Sequence, residues 1–315
     1  MVSLVLLFIH FVFLGISFVF PRKLLLLLAG GLSRFLSFFP IHPIDRNIRV
    51  INRFIRDQSR PPLAPLKIKQ RNLYFLFKNL VDFYQFLVLK RSGWQQIMEY
   101  DGVENLTQVY KSGRGVIGIC AHIGNWELGG LVLNQYGIQA SSLIFEQLNP
   151  ALDSYMNKAR EGSGVKLLHQ RRGLRTALKN LEEGELITLL IDQDGTRNGY
   201  FQDFFGLHCS FPRSIELFLN HTEAALVPLV LLHSSKSDGY QLKVLPELPI
   251  DIEATRRDYA SLYGSIRDWF ENIILENPDQ WLLAYDRFKL RHVPMLQEKG
   301  ILDQIQIDYE RAWRG

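Results

Sequence analysis

Residues 116–121 (Val-Ile-Gly-Ile-Cys-Ala) constrain the folding of this chain more than any other stretch. The run is short, apolar and rich in β-branched residues, which makes it a buried strand. Comparable runs recur at 141–145, 165–169, 186–191, 225–233 and 240–245. Helical stretches are expected at 174–181, 214–220 and 259–276, with residues 72–89 forming an aromatic, apolar helix before the first strand. Strands alternating with helices predict an α/β fold: a mixed, largely parallel sheet with helices on both faces. The segment Arg60-Pro61-Pro62-Leu63-Ala64-Pro65 breaks any helix and joins the N-terminal region to the main domain.

Polar residues at the C-terminal end of a strand sit where α/β folds build their sites. Directly after the first strand comes His122-Ile123-Gly124-Asn125-Trp126-Glu127. Residues five apart do not share a face of one helix. The two side chains can still meet if His122 ends the strand, Ile123-Gly124-Asn125 turns, and Glu127 lies in the first helical turn. Glu127 would then accept the Nδ1 proton, leaving Nε2 to point into the crevice. That is a general base with its orienter. Gly113-Arg114-Gly115-Val116-Ile117-Gly118 spells a dinucleotide fingerprint, but it precedes the strand instead of following it, so it reads as a turn feeding the strand.

The histidine, four residues, acidic residue box resembles that of glycerolipid acyltransferases, and the string His-Ile-Gly-Asn-Trp-Glu resembles one branch, the bacterial lipid A late acyltransferases, which includes the phosphatidylinositol mannoside acyltransferases. Further blocks follow in order: Asn149-Pro150, Asp153 and Arg160; Ile191-Asp192-Gln193-Asp194 with Phe204-Phe205-Gly206; Pro278-Asp279-Gln280-Trp281; and Tyr285-Asp286-Arg287-Phe288-Lys289. Two departures bear on acceptor or acyl preference. Ser210-Phe211 precede Pro212 where the family usually has a threonine, and His221-Thr222-Glu223-Ala224 replaces a common Thr-Gly-Ala step. The resemblance implies a glycerolipid-acyltransferase-like fold and transfer of a fatty acyl group from acyl carrier protein or coenzyme A to a hydroxyl of a membrane glycolipid, a lipid A precursor first. A phosphatidylinositol mannoside, lysophospholipid or aminolipid is the alternative acceptor, and a non-catalytic lipid-binding protein or a thioesterase the alternative class. It also puts Arg160 beside the active site, to hold an acceptor phosphate or the oxyanion. No cofactor is implied beyond the acyl thioester as co-substrate.

The remaining candidates divide between chemistry and structure. Backbone N–H groups around Gly124 and Asn125 are candidate oxyanion donors. Asp192 is a candidate to orient the Arg197 loop, Gln193 and Asp194 to meet substrate, with a turn cap as the structural alternative. Phe204 and Phe205 wall an acyl tunnel or pack a core. Arg171, Arg172 and Arg175 form a basic patch, and Arg287, Lys289 and Arg291 alternate along an extended segment. Cys120 and Cys209 are the only cysteines, too few for a disulfide framework, and Cys120 within an apolar strand reads as a buried thiol. The histidines 169, 208, 221, 233 and 292 lack ligand spacing, so no catalytic metal is expected.

Composition matters mainly at the N-terminus. Residues 1–20 are nearly all apolar, close to the ~20 needed to span a bilayer. Arg22 and Lys23 follow, which predicts an uncleaved membrane-anchor helix with those charges on the cytoplasmic side of a bacterial inner membrane. Residues 24–39 place Leu25, Leu28, Leu32 and Phe35 at helical spacing, either in the interface or as a core helix. The expected division is an anchor and interfacial helix over 1–40 and a catalytic domain over 41–315. The net charge of +4, from 36 basic and 32 acidic residues, suits an anionic membrane surface and gives no reason to expect nucleic acid.

Overall fold

The computed structural model describes residues 2–58, 60–144, 150–169 and 172–288. Nine strands occur among them: β1 (Met98–Asp101), β2 (Val116–Cys120), β3 (Ala140–Ile144), β4 (Lys166–His169), β5 (Leu186–Leu190), β6 (Tyr200–Phe204), β7 (Leu207–Phe211), β8 (Ala225–His233) and β9 (Tyr240–Val244). Four helices precede the first strand: α1 (Val2–Val19), α2 (Arg22–Ser37), α3 (His42–Asp57) and α4 (Pro65–Asp82), the last running into a π-helical turn, Phe83–Val88. The chain divides into two compact units. The first takes Met1–Gly31, Phe75–Leu190 and Phe218–Pro249; the second takes Leu32–Tyr74, Ile191–Leu217 and everything from Ile250 on.

The first unit holds a seven-stranded sheet in the order β1-β9-β8-β2-β5-β3-β4. All neighbours are parallel except β8 and β9. The mixed, largely parallel sheet expected from the sequence is therefore present, and helices flank it. Burial follows strand composition. All nine residues of β8 and all five of β2 are buried at the centre, while the edge strands β1 and β4 are largely open. A strand apolar on both faces is stable only where both faces are covered. Gly115 sits just before β2 and Gly118 within it, so the fingerprint-like glycines feed and occupy a strand, as read from the sequence.

The N-terminal helix has two faces. His10 and Ser17, two turns apart, are buried. His10 Nδ1 lies 2.6 Å from the Tyr84 hydroxyl, and Gln85 Nε2 donates to the Ser17 carbonyl at 2.8 Å. Phe11, Val12, Phe18 and Val19 point outward. Among the described residues no single helix is long and apolar enough to cross a membrane; α2 and α3, bent 76° to each other, pass that test only as a pair. The expected stripe along α2 is divided. Leu25, Leu26 and Ala29 are buried, whereas Leu24, Leu27, Leu28, Leu32 and Phe35 are exposed. The helix thus has one protein-facing and one open apolar side, because its apolar residues exceed a single stripe.

The second unit is built on a two-stranded antiparallel hairpin, β6 and β7, turned at Phe205 and Gly206, both at positive φ. Phe204, Phe205, Phe211, Trp281 and Phe288 form its aromatic core. Two buried asparagines tie down the C-terminal blocks: Asn47 Nδ2 donates to the Leu283 and Tyr285 carbonyls, and Asn72 Nδ2 to those of Asp279 and Trp281. Replacing Asn72 by leucine strands two buried acceptors. Each costs about 1–3 kcal/mol, so Asn72→Leu is expected to lower the thermal midpoint by several degrees in calorimetry, with Asn72→Asp intermediate or worse.

Candidate active site

Strand β2 runs to the C-terminal edge of the sheet, and the chain turns there through a tightly held loop. Gly124 forms a parallel bridge to Leu231 of β8, and the Asn125 N–H donates to the Leu231 carbonyl at 2.7 Å. Gly124 has φ +64, and a Cβ at that position would overlap the Leu231 oxygen and carbon. Only glycine fits, for conformation and for space. On the other side, Asn79 Nδ2 of α4 donates to the Gly124 carbonyl at 2.7 Å. His122 lies half-buried just before this loop, its ring edge-on to Trp126 with centroids 5.3 Å apart. A short 3₁₀ turn, Trp126–Leu128, then leads into the helix Gly129–Gln135, placing Glu127 in the first turn as the sequence suggested.

The Glu127 carboxylate accepts from Arg160 in a two-pronged pair, Nε to Oε2 at 2.8 Å and Nη2 to Oε1 at 2.7 Å. Arg160 Nη1 also reaches Asn157 Oδ1 at 3.0 Å. Burial works against the Arg160 cation, and the adjoining Glu127 charge outweighs it, so the guanidinium pKa lies above its ordinary value. Glu161 and Asp153 are the acidic residues nearest to Arg160 in the sequence. The structure gives it Glu127, 33 residues away, through the helix Pro150–Glu161.

Asn125, expected among the oxyanion donors, is instead engaged in holding the loop. Besides its backbone bond to Leu231, its Nδ2 donates to the Tyr240 hydroxyl at 2.9 Å. Tyr240 in turn donates to Asp82, which also takes both prongs of Arg22 at 2.6 and 2.9 Å and the Lys78 ammonium at 3.3 Å. Asp82 and Tyr240 are fully buried. Burial, and then the Asp82 charge, raise the Tyr240 pKa well above its usual value, so the phenol stays a donor. Burial pulls Lys78 down to about 8, against the attraction of Asp82.

A narrow apolar cavity of about 70 Å³ opens beside the turn. Cys120, Ala121, Ile123 and Trp126, the residues on either side of His122, line it together with Gly129 and Leu133. Ser142 and Thr188 also face it, but their hydroxyls are bonded to each other, so they present little free polarity. Cys120 is a buried thiol outside any disulfide, as expected.

Arg172 and Arg175 of the basic patch are exposed in the first unit, and the candidates from Asp192 onward belong to the second. Asp192 is buried, and its Oδ2 accepts from the Trp281 indole N–H at 2.9 Å, joining two blocks that are 89 residues apart. Asp194 closes a local turn by accepting from the Thr196 N–H at 2.9 Å, and its own N–H donates to the Tyr285 hydroxyl. Gln193 is half-buried and Arg197 exposed. Phe204 and Phe205 are core residues of that unit, the structural one of their two expected roles. Arg287 lies between the Phe204 and Phe211 rings and donates to the Ser210 carbonyl, so it is a buried tie, not an exposed phosphate contact. Asn149, Arg171, Lys289, Arg291 and His292 lie outside the described residues. Among the described residues no three His, Cys, Asp or Glu side chains gather as a metal-ligand set.

The family model for bacterial lipid A biosynthesis acyltransferases matches residues 3–290, nearly the whole chain. The chain belongs to that family. Among curated relatives, a lipid A biosynthesis acyltransferase of Haemophilus influenzae is 22% identical over 60% of this chain and 59% of its own length. A phosphatidylinositol mannoside acyltransferase of Mycolicibacterium smegmatis is 29% identical over 57% of this chain and 58% of its own. The lipid A biosynthesis palmitoleoyltransferase of Escherichia coli K12 is 25% identical over 62% of each. The chain therefore spans about 60% of the length of the relatives it matches.

In this lipid A acyltransferase family member, two substitutions probe the turn. Gly124→Ala is expected to abolish whatever chemistry the site performs, and to lower stability measurably in urea titration, because the loop must leave Leu231. Lys78→Met addresses the buried charge. Between about pH 8 and about pH 10.5 the unfolded chain binds more protons at this lysine than the folded one, so its burial penalty fades as pH rises. The stability of wild type relative to Lys78→Met should rise by up to about 3 kcal/mol across that range. A flat difference in parallel urea titrations would refute the assignment.

Proposed function

We propose that this protein transfers a fatty acyl group from an acyl thioester to a hydroxyl of a membrane glycolipid, with His122 as general base. The observation that carries the reading is the apolar cavity flanking His122 at the C-terminal end of a central parallel strand. We place a hydrocarbon chain in that slot with its carbonyl carbon at the end beside the His122 turn. His122 removes the acceptor hydroxyl proton as the new C–O bond forms. The tetrahedral intermediate then expels the thiolate, which takes the proton from the imidazolium. General-base assistance of this kind contributes about 10²–10⁴-fold.

Glu127 is proposed as the anionic partner of the imidazolium, and Arg160 as the group that holds Glu127's carboxylate in place. Gly124 and the N–H groups of the following helical turn remain the proposed oxyanion donors. The lipid A and phosphatidylinositol mannoside names among the relatives support a glycolipid acceptor, a lipid A precursor first. Acyl carrier protein or coenzyme A is the proposed donor carrier. Asp192, Gln193, Asp194 and Arg197 stay candidates for substrate contact. The outward apolar sides of α1 and α2, with Phe11, Phe18, Leu24, Leu27 and Leu28 exposed, support binding to an anionic membrane surface, proposed as the cytoplasmic face of a bacterial inner membrane.

The deciding experiment is lipid mass spectrometry on cells with the wild type, with His122→Ala and without the protein. An acyl chain missing from one glycolipid, and restored by the wild type alone, is the expected result. An unchanged glycolipid pool with altered phospholipids or aminolipids would change the acceptor, and no lipid change at all would overturn the catalytic reading. The slot gives a finer test. Gly129 lines the cavity and a Cβ there meets nothing within 4 Å, so Gly129→Ile should fill the cavity and shift the transferred chain to fewer carbons. An unshifted chain-length profile would remove the slot from the mechanism.

A further inference from the structure

Within the first unit, one hydrogen-bonded chain links a helix with an open apolar side to the candidate catalytic turn. Arg22 is the first residue of α2, whose outward side carries Leu24, Leu27 and Leu28. Its guanidinium grips Asp82 with two bonds. Asp82 accepts the Tyr240 proton, and the Tyr240 oxygen accepts from Asn125. Asn125 lies three residues after His122 and two before Glu127. We propose that Arg22, Asp82 and Tyr240 are positioning residues for the acyl-transfer site, acting through Asn125 to set the His122 and Glu127 side chains. This rests on the acyl-transfer reading given above.

Three features separate this chain from ordinary buried polarity. First, direction: each donor feeds an already polarised acceptor, so the Asp82 charge strengthens the bond that Tyr240 accepts from Asn125. Second, the charge is itself fixed. Lys78 lies 3.3 Å from Asp82 and over the Tyr240 ring at 3.6 Å, so two cations hold one carboxylate from different sides. Third, convergence: Asn125 is held at its backbone by Leu231 and at its side chain by Tyr240, and the preceding carbonyl by Asn79. A turn pinned at three points holds its side chains in one geometry. Reaction rates fall about 10²-fold for misplacements near 1 Å.

The test compares Tyr240→Phe and Arg22→Met with Tyr84→Phe. The last removes another buried hydroxyl of the same unit, one bonded to His10 and outside the chain. All three proteins are purified full length in detergent, with acyl-coenzyme A and acyl carrier protein thioesters as donors and the glycolipid identified by mass spectrometry as acceptor. Tyr240→Phe and Arg22→Met should lower kcat about 10–100-fold with KM within about 3-fold, while Tyr84→Phe leaves kcat within about 2-fold. Arg22→Lys should restore part of the loss. Independently of turnover, the His122 ring signals in ¹⁵N-histidine spectra should move in Tyr240→Phe and stay in Tyr84→Phe. Equal losses in all three variants, or an unmoved His122 signal in Tyr240→Phe, would overturn the proposal. A wild type that never turns over a thioester would refute acyl transfer, and the ring signals would still decide whether Tyr240 sets His122.

Discussion

The Leu231 carbonyl governs how the chain leaves its central strand. It accepts the Asn125 N–H, and it leaves no room for a side chain at Gly124. Because β8 pairs directly with β2, this oxygen stands at a fixed height above the sheet edge. The chain has one low-energy way past it, a left-handed glycine followed by a 3₁₀ turn. Everything chemical in the first unit is downstream of that geometry. His122 is delivered just before the turn and Glu127 just after, and the slot opens between the turn and the next helix. The site is thus a property of two neighbouring strands more than of the residues that would react.

Electrostatically, the same region concentrates charge where water is absent. Asp82 is surrounded by Arg22 and Lys78 and bonded by a neutral phenol, leaving a buried cluster with one net positive charge. Such clusters are poor sources of stability, because desolvation offsets most of the attraction. The lowered Lys78 pKa has the same cause, burial outweighing the attraction of Asp82. A buried arrangement that stabilises little is informative when it ends on a site residue. The Glu127–Arg160 pair differs. It is partly open to solvent, with both side chains 19% exposed, and its fork geometry fixes orientation more than it adds energy.

Much of the fold was legible because the strands are apolar on both faces. The runs at 116–121, 186–191 and 225–233 became β2, β5 and β8 within a residue at each end. Their composition leaves no alternative to burial. The histidine box was legible for the same reason, since a histidine ending such a strand must lie at the sheet edge. What the sequence did not reveal were partnerships across long separations. Nothing local marks Arg160 as Glu127's partner, Trp281 as Asp192's, or Tyr240 as Asn125's, because each depends on how helices and strands are laid beside one another. Asn79 and Asp82 were missed as well, hidden inside an aromatic helix that reads as simple core. Their signal was a polar residue on an otherwise apolar stripe. The N-terminal helices add a further case. Their hydropathy reads as a spanning segment, yet His10 and Ser17 mark a face that the protein itself covers.

The long-range character of these ties has a consequence for how the molecule comes into being. Asn125 and Tyr240 are 115 residues apart, and Asp82 and Tyr240 are 158 apart. On a ribosome the histidine box is made early, while the strands that shape it, β8 and β9, emerge last among the sheet's members. Until then the turn has neither the Leu231 oxygen nor the Tyr240 hydroxyl, and β2 lacks one of its two neighbours. Such non-local pairing makes folding slow and leaves apolar strands exposed in the nascent chain. A growing polypeptide with its greasy helices already made would carry the candidate site unassembled until Tyr240 had been synthesised. The order of residues along the chain therefore delays assembly of the candidate site until β8 and β9 are in place.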